Sequence, residues 1–316
     1  MTKEVRDLVI IGAGPSALAA AIYAGRENIN TVLIEKGAVG GIIASVARVD
    51  NYPGFPSGVS GADLADSFRV QAEKFGAKIY AGEVKNIKKS GETIIITTDR
   101  EPMFARSVLI ATGSTYERLW ISGEEDFYGK GVHYSTVRDG SRYRQRRIAV
   151  VGGGNSAIQE ALALVQIVDH IDLVVRSSVK ATGVLKKELK TCIDTGKITL
   201  YAGYVPDRIT PNDGEIAALV IRKNNGDEVR ELPIAGVFIF AGIIPNTQFL
   251  SDSSVELDSN GYIITDDNQM TNVLGIFASG DARGDTAKQI TTAIGDGTTA
   301  AIAIRDYLAN MRSEIA

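Results

Sequence analysis

The stretch DLVIIGAGPSA, residues 7–17, decides the fold of this chain. It reads as a short apolar strand that runs into a glycine turn of the form G-x-G-x-x-A. The alanine-rich run 18–26 predicts a helix, and the apolar run 31–34, which ends on Glu35, predicts a second strand. The order strand, glycine turn, helix, strand and acid is typical of a dinucleotide-binding unit.

Each position of this turn has a physical role. Gly12 makes the tight turn, Gly14 lets the backbone approach a pyrophosphate, and Ala17 is small enough to pack the helix against the strand. The N-terminus of the helix, near Ser16, faces the phosphates with its free amide groups. Glu35 is placed to accept hydrogen bonds from a ribose. A glycine-rich turn can also be a plain connection, but the flanking elements favour nucleotide binding.

The same pattern recurs in RIAVVGGGNSA, residues 147–157, with a helix and the strand 171–175 after it. Two such units imply two nucleotide sites. The acid is absent from the second unit, where Arg176 follows the strand, and an arginine there favours NADPH over NADH. The alternative is a vestigial unit that binds nothing. The candidate contacts to NADPH are Gly152, Gly154, Asn155, Ser156 and Arg176.

The composition limits the kinds of protein that this chain can be. Its 316 residues are long for one core and predict two domains. A net charge of −4 does not indicate a nucleic-acid surface, and no apolar run reaches the roughly 20 residues that span a bilayer. The first strand begins too early for a signal peptide, so we expect a cytoplasmic protein without nucleic-acid or membrane partners.

Cysteine and histidine are scarce in this sequence. The single cysteine, Cys192, cannot form a disulfide within the chain. The sequence predicts that its side chain lies partly buried on a helix. Only His133 and His170 could supply imidazole groups. We therefore expect no metal site, and chemistry carried by a bound cofactor is the favoured class.

Shorter patterns predict the remaining elements. Helical spacing covers residues 61–75, and a closing helix is predicted over 289–308, with the Gly-Asp-Gly step 295–297 interrupting or preceding its regular part. Short strands expected to form a small meander lie at 78–81, 83–88 and 93–98. Buried strands that end in small-residue turns are predicted within 107–114, 236–242 and 275–282.

Short motifs follow one another in a fixed order along the chain. They are GAGP at 12–15, GG at 40–41, DNYPG at 50–54, ATG at 111–113, GGGNSA at 152–157, PNT at 245–247 and ASGD at 278–281. Together they resemble the low-molecular-weight thioredoxin reductases over nearly the whole chain. The resemblance implies an α/β fold with two dinucleotide-binding, Rossmann-like domains. An FAD-binding domain would comprise residues 1–117 and 248–316, with an NAD(P)H-binding-like domain inserted at 118–247, in a homodimer whose domains can rotate.

The resemblance also implies which residues contact FAD. Asp281, at the carboxyl edge of the last predicted strand, would lie near the ribityl chain, and Gln289 and Ile290 near the isoalloxazine. The other implied contacts are Gly12, Gly14, Ser16, Ala17, Glu35, Gly40, Gly41, Asn51, Ala111, Thr112 and Gly113.

The largest departure from the family pattern falls where relatives carry Cys-x-x-Cys-Asp. Here the stretch 131–140 is GVHYSTVRDG, so Ser135 and Arg138 occupy the two cysteine positions. Neither side chain can cycle between dithiol and disulfide, so we do not expect thioredoxin to be reduced by the family's route. With Asp139, these residues become the candidate catalytic group.

The nicotinamide site departs from the family pattern too. Relatives that use NADPH carry His-Arg-Arg after the second strand and a further Arg beyond it, whereas this chain has VRS at 175–177 and Ala181 at the distal position. Each charged hydrogen bond contributes roughly 1.5 to 3 kcal/mol, so the loss of two predicts weak NADPH binding or none.

Two hypotheses about function follow. The first is a flavin oxidoreductase without its own dithiol, which passes electrons from a nicotinamide or a protein such as ferredoxin to an external acceptor, with residues 133–135, Arg138 and Asp139 lining the flavin's substrate face. The second is a regulatory or sensing FAD-binding protein with little or no turnover. The arginine cluster is interpreted as a solvated surface or as a docking patch for an acidic electron carrier; it comprises Arg142, Arg144, Arg146 and Arg147.

Overall fold

The computed structural model describes residues 4–46, 49, 51–134 and 139–315. The chain forms two compact units. Unit 1 comprises Met1–Thr115 and Ile244–Ala316, and unit 2 comprises Tyr116–Ile243. Both units are built on a mainly parallel sheet, so the predicted α/β fold with two Rossmann-like domains is confirmed.

The helices are α1 (Pro15–Arg26), α2 (Gly61–Lys74), α3 (Asn155–Leu164), α4 (Gly183–Asp194) and α5 (Ile290–Ile315). The strands are β1 (Val5–Ile11), β2 (Thr31–Glu35), β3 (Lys78–Ala81), β4 (Val84–Ser90), β5 (Thr93–Thr98), β6 (Met103–Ile110), β7 (Ser114–Tyr116), β8 (Val132–His133), β9 (Arg147–Val151), β10 (His170–Val175), β11 (Ile198–Ala202), β12 (Tyr204–Asn212), β13 (Glu215–Lys223), β14 (Val229–Pro233), β15 (Val237–Ile239), β16 (Ile243–Pro245) and β17 (Ile276–Ala278). Short 3-10 helices lie at Gly41–Ser45, Gly140–Tyr143, Gln248–Leu250 and Gly280–Ala282.

The sheet of unit 1 has the order β3-β2-β1-β6-β5-β4, and β17 also pairs with β6. The predicted meander over residues 78–98 is wrong in one respect. β4 pairs antiparallel with β5, and β5 pairs antiparallel with β6, whereas β3 pairs parallel with β2 at the opposite edge. The physical reason is the crossover through α2, because a strand that follows such a helix returns parallel to the preceding strand.

The closing helix of unit 1 differs from its prediction. α5 runs without a break through the Gly-Asp-Gly step at 295–297. Helix α5 packs against α1 so closely that a Cβ atom on Gly297 would lie 2.1 Å from the backbone oxygen of Ser16. Gly297 therefore serves helix packing rather than helix termination. Within the described part of the chain, no helix has the length and apolar character needed to cross a membrane.

Unit 2 repeats the parallel arrangement of unit 1 in a smaller sheet, with the order β11-β10-β9-β15-β8. Its strands β9 and β10 are buried apart from their first residues, which explains their near-continuous apolar sequences. A separate antiparallel sheet, β12-β13-β14, has a hairpin turn at 224–227 between its last two strands. Helix α3 begins at Asn155, earlier than its apolar spacing alone suggests, because the end of the glycine motif forms its first turn.

A buried ion pair joins β9 and β10. Both carboxylate oxygens of Asp172, a fully buried residue, accept hydrogen bonds of 2.7 Å from Arg147. We expect Asp172→Ala to lower the free energy of unfolding by about 3 kcal/mol, near the lower limit for a broken buried pair because the Arg147 side chain is 42 % exposed. Urea unfolding monitored by circular dichroism measures this change.

The matched control is Asp194→Ala, which removes the exposed pair between Lys190 and Asp194. Exposed pairs contribute less than about 1 kcal/mol, so this variant should unfold close to the parent. Equal losses in the two variants would show that the Asp172 pair does not stabilise the sheet beyond an ordinary surface contact.

Candidate functional site

The glycine turn of unit 1 has the geometry that its sequence predicts. Gly12 has a φ of +104°, and a Cβ atom there would lie 2.4 Å from the backbone oxygen of Ala111, so only glycine fits without strain. A Cβ on Gly14, in contrast, would meet nothing within 4 Å. The space beside Gly14 is therefore open to a ligand, directly before α1 begins at Pro15.

The predicted ribose acid, Glu35, lies at the end of β2. Its Oε2 accepts a hydrogen bond of 2.7 Å from the backbone N–H of Ala13, and its Oε1 accepts one of 2.7 Å from that of Gly37. The carboxylate therefore holds the glycine turn in shape, and each oxygen keeps lone-pair capacity for a further donor. It also borders a cleft of about 130 Å³ that is lined by Gly12, Glu35, Thr112 and Asn246, among others.

The second turn of unit 1, residues 111–113, is fixed by Asn246. The Asn246 side chain donates a hydrogen bond of 2.9 Å to the backbone oxygen of Thr112, whose hydroxyl donates one of 2.8 Å to the backbone oxygen of Asn246. Gly113 has a φ of +66° and open space beside it. The PNT motif, residues 245–247, thus supports this turn, although the sequence alone did not assign it that role.

Asp281 shows the clearest sign of a missing partner. Within the described residues, its Oδ1 atom is buried and has no hydrogen-bond partner. Burial raises the pKa of this carboxyl, an effect partly opposed by Lys288. A buried acceptor without a donor is costly in a folded protein, so a donor from a ligand is expected at this position.

Two residues that the sequence analysis did not single out hold the Asp281 turn. Asp296 Oδ2 accepts hydrogen bonds from the backbone N–H of Gly280 at 3.2 Å and from Arg283 at 3.1 Å. Lys288 Nζ donates to the backbone oxygens of Asp281 and Arg283. The sequence signal that could have revealed Asp296 is a carboxylate between two glycines within the closing helix.

Other predicted FAD contacts lie close to these turns in unit 1. Asn51 Nδ2 donates a hydrogen bond of 3.3 Å to Gln289 Oε1, which joins two candidates that are 238 positions apart.

The Ser16 hydroxyl donates to that of Ser279 at 2.6 Å, while Ala17 is fully buried. Gly40 and Gly41 both have positive φ, and Ile290 begins α5 next to Gln289.

The glycine motif of unit 2 forms a similar turn but offers fewer groups to a ligand. Gly152 has a φ of +140°, and a Cβ there would lie 2.5 Å from the backbone oxygen of Phe240. Gly154 and Ser156 are exposed at the start of α3. Asn155 Oδ1 accepts a hydrogen bond of 2.8 Å from the backbone N–H of Thr182, so this candidate is partly occupied by the protein itself.

Arg176 is exposed at the end of β10, and no ion pair or hydrogen bond reaches it from the residues that the structure describes. This leaves its guanidinium available to an anion. Ser177 and Ser178 beside it are exposed and carry no charge. Lys180, the other cation of this turn, is exposed too, and its backbone N–H donates a hydrogen bond of 2.7 Å to the backbone oxygen of Gly153.

Of the candidate catalytic residues, Ser135 and Arg138 lie outside the described residues. Asp139 is buried, and its Oδ2 lies 3.0 Å from His133 Nδ1. His133 and Tyr134 are also buried, packed against Tyr143 and Glu124 respectively. The hypothesis that the side chains of His133 and Tyr134 line an open substrate face is therefore not supported by their packing.

The arginine cluster is largely paired. Arg147 binds Asp172, Arg146 lies 3.8 Å from Glu215, and Arg142 lies 3.5 Å from Asp139. Arg144 is exposed without an ion pair to any described residue. These contacts favour the interpretation as a solvated and paired surface over a dedicated docking patch.

Comparisons with known proteins agree with this geometry. The family model for pyridine nucleotide-disulphide oxidoreductases matches residues 6–297. The thioredoxin reductase of Listeria monocytogenes is 34% identical over 316 residues, which cover 99% of this chain and 97% of that protein. The crystal structure of thioredoxin reductase from Streptococcus pyogenes has a TM-score of 0.80 and 35% identity, covering 98% of this chain and 100% of that one.

A second solved structure, Lactococcus lactis thioredoxin reductase in its FR conformation, has a TM-score of 0.75 and 35% identity, with 96% of this chain and 99% of that chain covered. The matched fold and glycine turns define a pyridine nucleotide-disulphide oxidoreductase. Within that class, the chain belongs to the low-molecular-weight thioredoxin reductase family. Members of this family bind FAD and take electrons from NADPH.

Proposed function

We propose that this chain is an FAD-dependent oxidoreductase that works without a redox-active dithiol. It would pass electrons between a nicotinamide or a protein donor such as ferredoxin and an external acceptor other than thioredoxin. The observation that carries the proposal is a thioredoxin reductase fold with a single cysteine, Cys192. As in the family, we propose that it acts as a homodimer.

The residues of unit 1 fit FAD. Gly14 leaves open space at the start of α1 for a pyrophosphate, Glu35 borders a cleft of about 130 Å³, and the buried Oδ1 of Asp281 lacks a donor among the described residues that a ribityl hydroxyl would supply. FAD, when bound, supplies reversible two-electron redox chemistry. The protein's own contribution is to hold and orient the cofactor through these groups.

The remaining thiol does not replace the missing pair. Cys192 lies on α4 and is half-buried, and burial raises the pKa of its thiol above the usual value. A protonated thiol is a poor nucleophile, and one cysteine cannot form a disulfide within its own chain. Electron transfer through an internal dithiol is therefore not part of the proposed reaction.

The nicotinamide turn supports weak binding of NADPH. Arg176 is the single arginine at this turn, with Lys180 as the other cation, and the side-chain oxygen of Asn155 already accepts a hydrogen bond from the backbone N–H of Thr182. A bidentate arginine contact to a 2′-phosphate is strong, but relatives have more than one. A protein donor in place of NADPH fits this weakened site.

Anaerobic titration followed by visible flavin absorbance tests the donor. We expect dithionite to bleach the flavin fully, and one equivalent of NADPH or of NADH to leave most of it oxidised. Full bleaching at one equivalent of NADPH would show that Arg176 suffices and would remove the need for a protein donor. Oxidised thioredoxin, added to the photoreduced protein, should leave the flavin bleached; rapid reoxidation would contradict the proposed acceptor class.

A gain-of-function variant sharpens this test. Ser177→Arg places a second guanidinium beside Arg176, and one added charged hydrogen bond of roughly 1.5 to 3 kcal/mol should tighten NADPH binding about tenfold or more. Ser178→Arg is the matched control, because it adds the same charge one residue further on. NADH binding should change in neither variant, and an equal gain in both would indicate only nonspecific charge attraction.

A second candidate is a regulatory or sensing FAD-binding protein with little or no turnover. One observation favours it: packing against Phe240 and Val175 already accounts for Gly152 and Gly153, so these glycines do not themselves require a ligand. The same titration separates the two candidates. The sensing protein would be supported if dithionite reduced the flavin but neither nucleotide nor reduced ferredoxin did. The flavin reduced by dithionite should then also not be reoxidised by an added acceptor.

A further inference from the structure

Two buried serines join separate turns of unit 1. Ser16 lies in the first turn of α1, and Ser279 directly follows β17. The Ser16 hydroxyl donates a hydrogen bond of 2.6 Å to the Ser279 hydroxyl, across 263 positions of sequence. The exposed fractions of the two residues are 5% and 0%, so this bond is made away from water.

Each serine belongs to a turn that we assign to a different part of the cofactor. Ser16 follows the glycine turn, whose open side at Gly14 leaves space for a pyrophosphate. Ser279 precedes the turn that carries Asp281, whose buried Oδ1 lacks a donor among the described residues. The bond between the two hydroxyls therefore connects the proposed pyrophosphate subsite to the proposed ribityl subsite.

Helix α5 contacts both turns at adjacent positions. Asp296 Oδ2 accepts a hydrogen bond of 3.2 Å from the backbone N–H of Gly280, the residue after Ser279. The next residue of the helix, Gly297, lies so close to Ser16 that a Cβ atom on it would be 2.1 Å from the Ser16 backbone oxygen. A Cβ on Gly280 would lie 2.9 Å from Ser16 Cβ. The two turns and the helix therefore pack as one block, in which glycines allow the close approach.

The direction of the Ser16 side chain bears on how this residue serves a ligand. Ser16 is among the FAD contacts that the sequence predicts, and both its hydroxyl and its backbone N–H are candidate groups. The hydroxyl is directed inward to Ser279. The backbone N–H belongs to the first turn of α1, where amide groups have no acceptor within the helix. The amide is therefore the group that Ser16 offers to a phosphate, while the hydroxyl acts on the neighbouring turn.

We propose that Ser16 and Ser279 are positioning residues for FAD. Their hydrogen bond fixes the spacing of the two turns, so that the pyrophosphate and ribityl subsites are formed together before the cofactor binds. A preorganised site binds more tightly because fewer groups have to be ordered on binding. This role rests on the proposed function, since it concerns the FAD site of unit 1, and it adds a coupling between two subsites.

A double-mutant cycle on FAD affinity tests the bond. Dilution of each holoprotein, followed by the fluorescence of released FAD, gives the dissociation constant. We expect Ser16→Ala and Ser279→Ala each to weaken FAD binding about threefold to tenfold, the effect of one hydrogen bond. The double variant should bind no more weakly than either single variant, because all three lack the same bond.

Three results of this cycle would overturn the proposal. A loss confined to Ser16→Ala would make its hydroxyl a direct contact to FAD. Losses that add up in the double variant would show that the two serines act independently. Unchanged affinity in all the variants would show that the bond does not shape the site. If the parent protein itself retains no flavin, the proposed function fails and this role fails with it.

Two fragments of FAD separate positioning from local contact. ADP carries the adenosine and the pyrophosphate, whereas riboflavin carries the isoalloxazine and the ribityl chain. With the flavin-free full chain, we expect Ser16→Ala to weaken riboflavin binding and Ser279→Ala to weaken ADP binding, each about threefold or more. Calorimetry for ADP and flavin fluorescence for riboflavin measure these affinities. If each variant weakened only the fragment next to its own turn, the proposal would be wrong.

Ser107→Ala is the matched control, because it removes another fully buried hydroxyl of unit 1. The Ser107 hydroxyl donates a hydrogen bond of 2.7 Å to the backbone oxygen of Asp7. Ser107 lies within β6 opposite Leu8 of β1, so this bond is outside both turns. The variant should unfold at a lower denaturant concentration but keep the parent's affinity for FAD and for both fragments. An equal loss of affinity in this control would attribute the effect to general destabilisation and overturn the proposal.

Discussion

The Gly297→Ala variant is expected to unfold at a lower denaturant concentration than the parent protein and to release FAD more readily. The new methyl group would lie 2.1 Å from the backbone oxygen of Ser16, so α5 and α1 must move apart. Forcing extra volume into a packed contact costs about 1 to 3 kcal/mol. Because Ser16 lies in the first turn of α1, the displacement also disturbs the helix N-terminus that we propose holds the pyrophosphate.

Gly295→Ala is the matched control on the same helix. A Cβ there meets nothing within 4 Å, and alanine in a helix interior is favoured over glycine by roughly 0.5 to 1 kcal/mol. This variant should therefore be slightly more stable and should keep its flavin. Chemical unfolding of the apoproteins and the fluorescence of released FAD measure both effects. We expect the free energy of unfolding to fall in Gly297→Ala and to rise in Gly295→Ala. An equal change in the two variants would contradict the role of close helix packing.

The Asp281→Asn variant is expected to bind FAD roughly 10 to 100 times more weakly, because an ionised acceptor contributes about 1.5 to 3 kcal/mol to a hydrogen bond. At the same time, the apoprotein should be no less stable at pH 7. In the parent apoprotein the Oδ1 atom is buried without a partner, and asparagine removes the buried charge. Flavin affinity and stability should therefore change in opposite directions.

The stability contribution of Asp281 should change with pH in a definite direction. Burial raises the pKa of Asp281 in the folded protein above its unfolded value. Stability from this group is therefore fully present at pH values below the unfolded pKa, and it is lost as the pH rises through the folded pKa. The parent apoprotein should lose this contribution on going from acid to neutral pH, while the Asn variant should not.

Asp267→Asn is the matched control, since it removes an exposed carboxylate of the same unit. It should change neither FAD affinity nor the slope of stability against pH. If Asp281→Asn kept the parent's affinity for FAD, the unpartnered oxygen would not be a cofactor contact, and the proposed arrangement of the flavin site would need another anchor.

The glycine turns were predictable because their requirements are local. Backbone sterics require a positive φ at Gly12 and Gly152 and a small residue at Ala17. The periodicity of apolar side chains marks the buried strands that end at these turns. Both kinds of information lie within a short window of sequence. The single cysteine of the chain is likewise a property of the sequence alone.

The sequence by itself therefore determined the α/β class, the two glycine turns and the presence of a single cysteine. Only the tertiary structure decided that β3 lies beside β2, that α5 continues through Gly297, and that Asp296 holds the Asp281 turn. Only it placed His133 between Asp139 and Tyr143. The physical reason is that these contacts depend on which groups the packed chain brings together in space, and no local periodicity records them.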